Sequence, residues 1–252
     1  LLIEEALVES TTEIEKGIYL LKTYSPQVAE GAKPGQFCNI KVTDTDFPLL
    51  RRPFSICEVE NDNIYFMFDI HGEGTRLLSK KRNGDKLDIL GPLGNGFNIN
   101  DDFDTAVIVA GGLGAAPFPF LIDRVPDDKN IVCFVGGRSK RNVVKYKMKN
   151  INISTDDGSE GFKGNVVELF INSFEGFGKN KIKVFACGPN IMLNALKEFC
   201  IAENINCEVS VECAMACGFG ICQGCPIEKS NGDGYYLVCK DGPVFNVEDI
   251  NL

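Results

Sequence analysis

Eleven cysteines stand in this chain of 252 residues, five of them within the 27 positions from Cys213 to Cys239, and they are the residues best equipped for chemistry. Cys217, Cys222, Cys225 and Cys239 form the pattern C-x4-C-x2-C-x13-C, whose first triplet is the plant-type spacing of a 2Fe-2S centre. Two irons need four thiolates, so a tight loop must bring three sulfurs to one side while a distant fourth closes the other. Gly218, Gly220 and Gly224 let the backbone turn that sharply, and N–H groups freed by such turns can donate to cluster sulfur. The alternative is a four-cysteine zinc site, usually built from two separated C-x2-C knuckles. Only one such pair is present, which favours iron–sulfur. In a reducing compartment a group of this kind points to metal rather than disulfides. Cys213, four residues before Cys217, is either a substitute ligand or a spare thiol behaving as a small hydrophobe. His71 is the only histidine, which excludes paired-histidine metalloprotease motifs and leaves a Ser-His-Asp triad a single place. Beside Gly72 it reads as a loop residue.

Other motifs have the chemistry of phosphate binding. Arg52-Pro53-Phe54-Ser55 lies on an expected strand, where a guanidinium fork can meet a pyrophosphate and a hydroxyl can reach the edge of a heterocycle; alternatively Arg51 and Arg52 are a solvent-facing pair. Gly72-Glu73-Gly74-Thr75 opens an expected helix, Thr75 to Lys81, with Thr75 placed to cap it and its first N–H groups free for an anion. Gly111-Gly112-Leu113-Gly114-Ala115-Ala116-Pro117 follows a buried strand and allows a dinucleotide close to the backbone. It is not the usual G-x-G-x-x-G, and packing alone is its other explanation. Cys187-Gly188-Pro189 ends a further strand, at the carboxyl edge where open α/β sheets bind ligands, although Cys187 also reads as a buried structural thiol.

The elements that must position these residues follow from the pattern. Five short β-rich runs, GIYLLKTY, GQFCNIKV, RRPFSICEV, NIYFMFDI and DKLDILGPLG, are separated by turn signals and predict a small antiparallel β-barrel. From Asp104, TAVIVAGG, NIVCFVGG and KIKVFACGP are apolar strands joined by crossovers, the signature of a parallel α/β sheet. NIMLNALKEFCIAEN has helical spacing with Ile191, Leu193, Leu196 and Phe199 as its apolar side. Beyond Cys207 the chain is rich in cysteine and glycine with little periodicity. The expected fold class is α/β plus β in three regions: an N-terminal barrel (1–101), a nucleotide-binding α/β domain (102–206) and a small cluster domain (207–252).

Composition limits the partners. Twenty-six Lys and Arg against 35 Asp and Glu give a net charge of −9, which repels phosphate backbones and anionic lipid, so nucleic acid and membrane surfaces are not expected. The stretch Thr105 to Ile122 reaches membrane-spanning length but holds three glycines and two prolines, so a buried strand and turn is expected instead. The acidic start LLIEEALVES does not read as a signal peptide, and the cytoplasm is the expected compartment.

Taken in order, RPFS, GEGT, GPLGNGF, GGLGAAP, CGPNIML and the cysteine loop resemble the ferredoxin-reductase superfamily of flavin and nicotinamide proteins, over nearly the whole chain. More narrowly, MACGFGICQGC followed by CKDGPVF, together with TDDGSEGFKG, resembles the electron-transfer subunits of dihydroorotate dehydrogenase type B. The resemblance implies three cofactors: FAD in the barrel, NAD(H) on the sheet and a 2Fe-2S cluster at the end. Arg52, Pro53, Phe54, Ser55, Met67, Phe68, Asp69, Gly74 and Thr75 would hold FAD. Gly111, Gly112, Gly114, Ala116, Pro117, Gly188 and Pro189 would bind nicotinamide, with Cys187 bordering its site. The four cysteines 217, 222, 225 and 239 would hold the cluster. The implied partner is an FMN-containing dihydroorotate dehydrogenase catalytic subunit, in a heterotetramer of two plus two, with electrons passing from FMN through the cluster and FAD to NAD+ in pyrimidine biosynthesis. Asp69 and Cys213 depart from the family, which commonly has arginine at both places, and Arg138, Lys140 and Arg141 are basic enough to accept a 2'-phosphate, leaving NADP open. Two alternatives stand beside this reading: an NAD(P)H-linked diaphorase subunit of a hydrogenase or bifurcating ferredoxin reductase, and a zinc-stabilised binding module without catalysis. Phe219 and Ile221 are candidate docking contacts.

Overall fold

The computed structural model describes residues 1–178 and 181–252. The first third is a closed barrel of six antiparallel strands, β1 (Ile3–Glu15), β2 (Ile18–Tyr24), β3 (Phe37–Lys41), β4 (Arg52–Glu60), β5 (Asn63–Asp69) and β6 (Lys86–Leu93), in the order β1-β2-β5-β4-β3-β6. Two short helices interrupt them, α1 (Pro26–Gly31) and α2 (Glu73–Leu78). Ala6, Val8, Leu21, Ile40, Ile56, Ile64, Phe66 and Ile89 fill the interior. The sequence reading foresaw five of these strands and missed β1. Its inward positions include Glu4, whose carboxylate accepts hydrogen bonds from the Ser25 hydroxyl at 2.7 Å and the Val28 N–H at 3.0 Å. An acidic residue satisfied by the entry to α1 conceals the alternation that marks a strand.

The second unit is a seven-stranded sheet, built from β7 (Thr105–Gly111), β8 (Asn130–Gly137), β9 (Ile151–Thr155), β10 (Phe162–Lys163), β11 (Ile182–Cys187), β12 (Asn206–Ser210) and a late strand, β15 (Val244–Asn246), in the order β10-β9-β8-β7-β11-β12-β15. All pairings are parallel except that of β12 with β15. The helices are α3 (Phe118–Arg124), α4 (Val166–Ser173) and α5 (Asn190–Ala202). The central strands β7 and β11 are nearly all buried, as expected for strands covered on both faces. The membrane-length apolar stretch becomes β7, a 3-10 turn over Gly112–Ala115 and most of α3. Among the described residues no helix is long and apolar enough to cross a membrane.

The expected apolar side of α5 needs one correction. Leu193, Leu196 and Cys200 are its buried residues, Phe199 is partly buried against them, and Ile191 is 83% exposed. Ile191 lies in the first turn of α5. The C-terminal region also has more order than its sequence pattern promised: β13 (Pro226–Glu228) and β14 (Tyr235–Leu237) form a hairpin, and β15 returns to the large sheet.

The units share their cores. Ile18, Leu20, Cys57 and Met67 on the outside of the barrel pack with Ala115, Ala116 and Leu121 of the sheet unit, while Phe37, Leu90 and Leu93 pack with Cys225, Ile227 and Cys239 of the C-terminal region. At the junction Phe97 stacks on Phe118 with centroids 5.9 Å apart and meets Phe185 edge-on at 5.5 Å. Lys183, 1% exposed, is held by Asp101, by Glu208 at 3.0 Å and by the Asn98 carbonyl at 2.8 Å, which ties the linker after the barrel to the sheet. These apolar and ionic seams fix the three sites relative to one another.

Candidate functional site

A cavity of about 220 Å3 opens where the three parts meet. Pro53, Phe54 and Ser55 of β4, Met67, Phe68 and Asp69 of β5, and Thr75 of α2 form its barrel side; Leu113 and Ala116 after β7 form the sheet side; Ser210 to Cys213, Met215 and Pro243 close it from the C-terminal region. Seven of the nine residues expected to hold a flavin line this cavity, because β4 and β5 are hydrogen-bonded neighbours, and Arg52 and Gly74 lie outside its wall. Phe54 sits tilted against Phe68 at 5.7 Å, giving the wall a rigid aromatic floor.

The two arginines before Pro53 have different tasks. Arg51 is bound to Asp88, with Nη2 to Oδ2 at 2.7 Å and Nη1 to the Asp88 carbonyl at 2.9 Å. Arg52 has no carboxylate partner among the described residues; its Nη1 donates to the Leu50 carbonyl at 2.6 Å. A Cβ on Gly74 would lie 3.1 Å from Arg52 Nε, so the glycine lets the guanidinium lie against the first turn of α2. That helix begins two residues earlier than expected, with Gly72 as its N-cap. Thr75 is therefore not the cap: its hydroxyl accepts from the N–H groups of His71 (2.9 Å) and Gly72 (3.3 Å). A hydroxyl at N3 that accepts from the N-cap N–H is the reciprocal half of a capping box, and Gly72 has no side chain to supply the other half.

Sequence reasoning missed His71 and Glu212, both of which line this cavity. His71 Nε2 lies 2.9 Å from Asp69 Oδ1, so Asp69 carries an imidazole at the cavity mouth. Glu212 is exposed at the rim of the cavity; the neighbouring protein and then repulsion from Asp69 raise its carboxyl, and His71 opposes this. Only folding places residues 69, 71 and 212 together, and no local pattern announces it.

The second region lies between the carboxyl ends of β7 and β11. From β7 the chain moves outward to β8 and β9 on one side and returns to β11 on the other, which makes this crevice the topological switch point where open α/β sheets bind ligands. A Cβ on Gly114 would meet the Cys187 carbonyl oxygen at 2.3 Å, and one on Gly111 would meet Met192 Sδ at 2.8 Å and Pro189 Cδ at 2.9 Å. These two glycines are required by packing against Cys187-Gly188-Pro189. Gly112 is different: its φ is +56° and the nearest atom to an added Cβ is 3.9 Å away, so its backbone faces open space. Ala116 lines the cavity, and Pro117 precedes α3 as its N-cap. Cys187 is 1% exposed and absent from the cavity wall; burial drives its thiol far above the ordinary range. It offers backbone to the crevice and no thiolate.

The third region is the cysteine loop. Cys225 and Cys239 lie with sulfurs 3.1 Å apart. The Cys222 N–H donates to Cys217 Sγ at 3.5 Å. Burial acts to raise the Cys217 thiol, yet the N–H groups of Cys222, Phe219 and Ile221, with the Cys222 thiol, outweigh it and bring it down to about 6. Cys239 is pushed up to about 12 by burial and then by Cys225. Gly218 (φ +81°) and Gly220 (φ +88°) supply the turns that point these donors inward. Among the described residues no group of three or more ligands surrounds one point. The four cysteines expected as ligands thus lie in two neighbouring pairs, 217 with 222 and 225 with 239. Cys213 lines the cavity and lies beside Cys225; burial, then the charge and the side chain of Cys225, raise its thiol to about 11.

Comparison with known proteins agrees with this arrangement. Residues 212–251 match the family described as the iron-sulfur cluster binding domain of dihydroorotate dehydrogenase B. The chain is 33% identical over 251 residues to the dihydroorotate dehydrogenase B (NAD(+)) electron transfer subunit of Desulforamulus reducens, covering 96% of this chain and 95% of that one. It is 38% identical over 220 residues to the subunit of the same name from Caldanaerobacter subterraneus subsp. tengcongensis, covering 86% of each. Among solved structures, that of the NADH-dependent reduced ferredoxin-NADP oxidoreductase, studied for flavin-based electron bifurcation, superposes with a TM-score of 0.86 at 25% identity, over 98% of this chain and 90% of that one. A ferredoxin NADP+ reductase from Neisseria gonorrhoeae with bound FAD and NADP shares the fold, with a TM-score of 0.64 at 16% identity over 79% and 91% of the two chains.

Proposed function

The chain belongs to the electron-transfer subunits of NAD-dependent dihydroorotate dehydrogenase B, an oxidoreductase of pyrimidine biosynthesis, and from that premise we propose how its residues divide the work. It has the ferredoxin-reductase fold, carries an iron–sulfur binding domain and partners the dehydrogenase catalytic subunit.

In the proposed arrangement Pro53, Phe54, Ser55, Met67, Phe68 and Asp69 hold the ring system of FAD in the cavity, and Arg52 with Gly74 and Thr75 holds its pyrophosphate. The backbone at Gly112, backed by the Gly111 and Gly114 packing against Cys187-Gly188-Pro189 and followed by Ala116 and Pro117, receives NAD(H). Cys217, Cys222, Cys225 and Cys239 ligate a 2Fe-2S cluster. When bound, nicotinamide supplies two-electron hydride chemistry, the cluster one-electron chemistry and flavin either. The chain's own contribution is position and exclusion of water. The buried aromatic and apolar wall keeps solvent from the reacting faces, and Leu113 and Ala116 set the sheet against the barrel so that two planar groups can stack between them.

One observation carries this reading: the cavity and the cysteine loop share walls. Cys213 and Pro243 both line the cavity, and each lies four residues from a proposed cluster ligand, Cys217 and Cys239. A bond joins the two walls directly, from the Val211 N–H to the Pro243 carbonyl at 2.9 Å. Two redox groups seated there are separated by a few residues of packed protein, as electron passage requires. The partner is proposed to carry FMN, to oxidise dihydroorotate on it and to join this chain as two plus two.

The test is the visible spectrum of anaerobically purified protein, with iron, sulfide, zinc and flavin assayed, before and after NADH. Two irons, two sulfides and one FAD per chain, bleached by NADH, are expected. Zinc without flavin would sink the assignment. The diaphorase alternative separates at the next step, since dihydroorotate-dependent NAD+ reduction is expected when the catalytic subunit is added, and none with a hydrogenase or ferredoxin in its place.

A further inference from the structure

Asn39 is a polar side chain in a place where the barrel should carry an apolar one. It lies on β3 with 0% exposure, and its neighbours Cys38 and Ile40 are buried with it. Its Cα partner across the β3–β4 ladder is Pro53, one of the cavity residues, and on the other side its partner is Leu90 of β6. The side chain reaches away from the barrel to the cysteine loop, where Nδ2 donates to the Cys217 carbonyl at 3.4 Å. A Cβ on Gly218 would come within 1.9 Å of that same Nδ2, so the loop backbone rests on the amide and residue 218 must be glycine. The other end of the amide, Oδ1, is buried without a hydrogen-bond partner.

Burying an amide with an unpaired acceptor disfavours folding, a penalty that an apolar side chain at the same place would not carry. An arrangement that costs stability and touches two functional elements at once points to a task in positioning. We infer that Asn39 is the positioning residue that seats the cluster loop on the flavin-bearing barrel, fixing the Cys217 end of the cluster relative to the strand that carries Pro53, Phe54 and Ser55. This rests on the proposed cofactor assignment and goes beyond it, since none of the motifs includes residue 39. Arg51 belongs to the same brace: its Nη1 donates to the Asn39 carbonyl at 3.4 Å and to that of Asp88 at 2.9 Å, which locks β3 against β6 directly behind the loop.

The test uses the complex with its catalytic subunit and compares wild type with Asn39→Leu and Asn39→Asp. Asn39→Leu removes both polar ends of the amide and is expected to fold and to retain FAD. Its reduced cluster should give a broadened or shifted electron paramagnetic resonance signal, and electron passage between cluster and flavin, followed by rapid mixing with NADH, should slow by about tenfold or more, the order expected when a reacting group moves by a fraction of an ångström to 1 Å. Asn39→Asp keeps the shape but loses the donor and should show the same spectral change, which covers the case in which the leucine protein does not fold. Wild-type line shape and transfer rate in both variants would overturn the inference. Wild-type protein lacking flavin or iron would instead overturn the cofactor assignment, and the two failures are told apart before any variant is made.

Discussion

Arg51 and Arg52 are adjacent in sequence and opposite in role, and substituting each separates structure from binding. Arg51 is spent on Asp88 and on backbone carbonyls of β3 and β6, so Arg51→Ala should lower the melting temperature with flavin content little changed. Exposed ion pairs contribute about 0.2–1 kcal/mol, and the carbonyl bonds add to that. Arg52 is free of carboxylates among the described residues and lies along Gly74 at the first turn of α2. Arg52→Ala should leave the melting of flavin-free protein near wild type but weaken FAD binding by about 1.5–3 kcal/mol, the range for hydrogen bonds to a charged group, measured by titrating FAD into the stripped chain. Equal FAD affinity in the two variants would remove Arg52 from the site. The sequence alone could place this arginine in the motif because RPFS is contiguous, and it could name four cysteines because their spacing is itself the constraint. It could not separate Arg51 from Arg52, nor reveal Asn39, His71 or Glu212, whose meaning lies in contacts that the chain makes only across strands and between units.

At the scale of elements, the GGLGAAP turn shows how one motif serves two ends. Gly114→Ala pushes a methyl to within 2.3 Å of the Cys187 carbonyl, and since the methyl is anchored in the 3-10 turn after β7 and the carbonyl at the end of β11, neither can yield cheaply. It should destabilise the chain by about 1–3 kcal/mol, the usual cost of overpacking, seen as a lower melting temperature. Gly112→Ala meets nothing closer than 3.9 Å but must hold φ at +56°, which costs about 1–2 kcal/mol in the left-handed region, and it adds a methyl where the backbone is open. Its distinguishing effect should be a raised KM for NADH at unchanged FAD content; a Gly112→Ala protein with wild-type KM would confine the motif to packing. Of the two explanations open from sequence, packing is seen at Gly111 and Gly114, and approach of a dinucleotide is the role proposed for Gly112. Strands β7, β8 and β11 were legible because fully buried parallel strands are continuous apolar runs. Strand β1 was not, because Glu4 points inward to the start of α1, and β15 was not, because three residues after a cysteine-rich loop carry no period of their own.

The whole molecule has a direction. Its nucleotide crevice opens at the carboxyl edge of the sheet, its cavity lies at the junction, and the cysteine loop is reached from outside through Ile221, 76% exposed, and the exposed Cys222. In the proposed arrangement electrons from a catalytic subunit enter where those two residues meet solvent, while Cys225 and Cys239 are buried. Of the two docking candidates named from sequence, Phe219 packs against the core around Cys225 and Cys239, so it belongs to the loop's own support, and Ile221 is the one free to meet a partner. A carboxylate placed there would be desolvated in the assembled interface without a counter-charge. Ile221→Glu should therefore weaken assembly with the catalytic subunit by about tenfold or more, which is about 1.4 kcal/mol, read as earlier dissociation on dilution in size-exclusion chromatography. Dihydroorotate-driven NAD+ reduction should fall in parallel at low protein concentration and recover at high concentration. Dye reduction by NADH in the same preparation enters at the opposite end, through the crevice and the cavity, and should stay at the wild-type rate. Undiminished assembly would move the docking surface away from the loop and require electrons to cross a longer path than the fold provides.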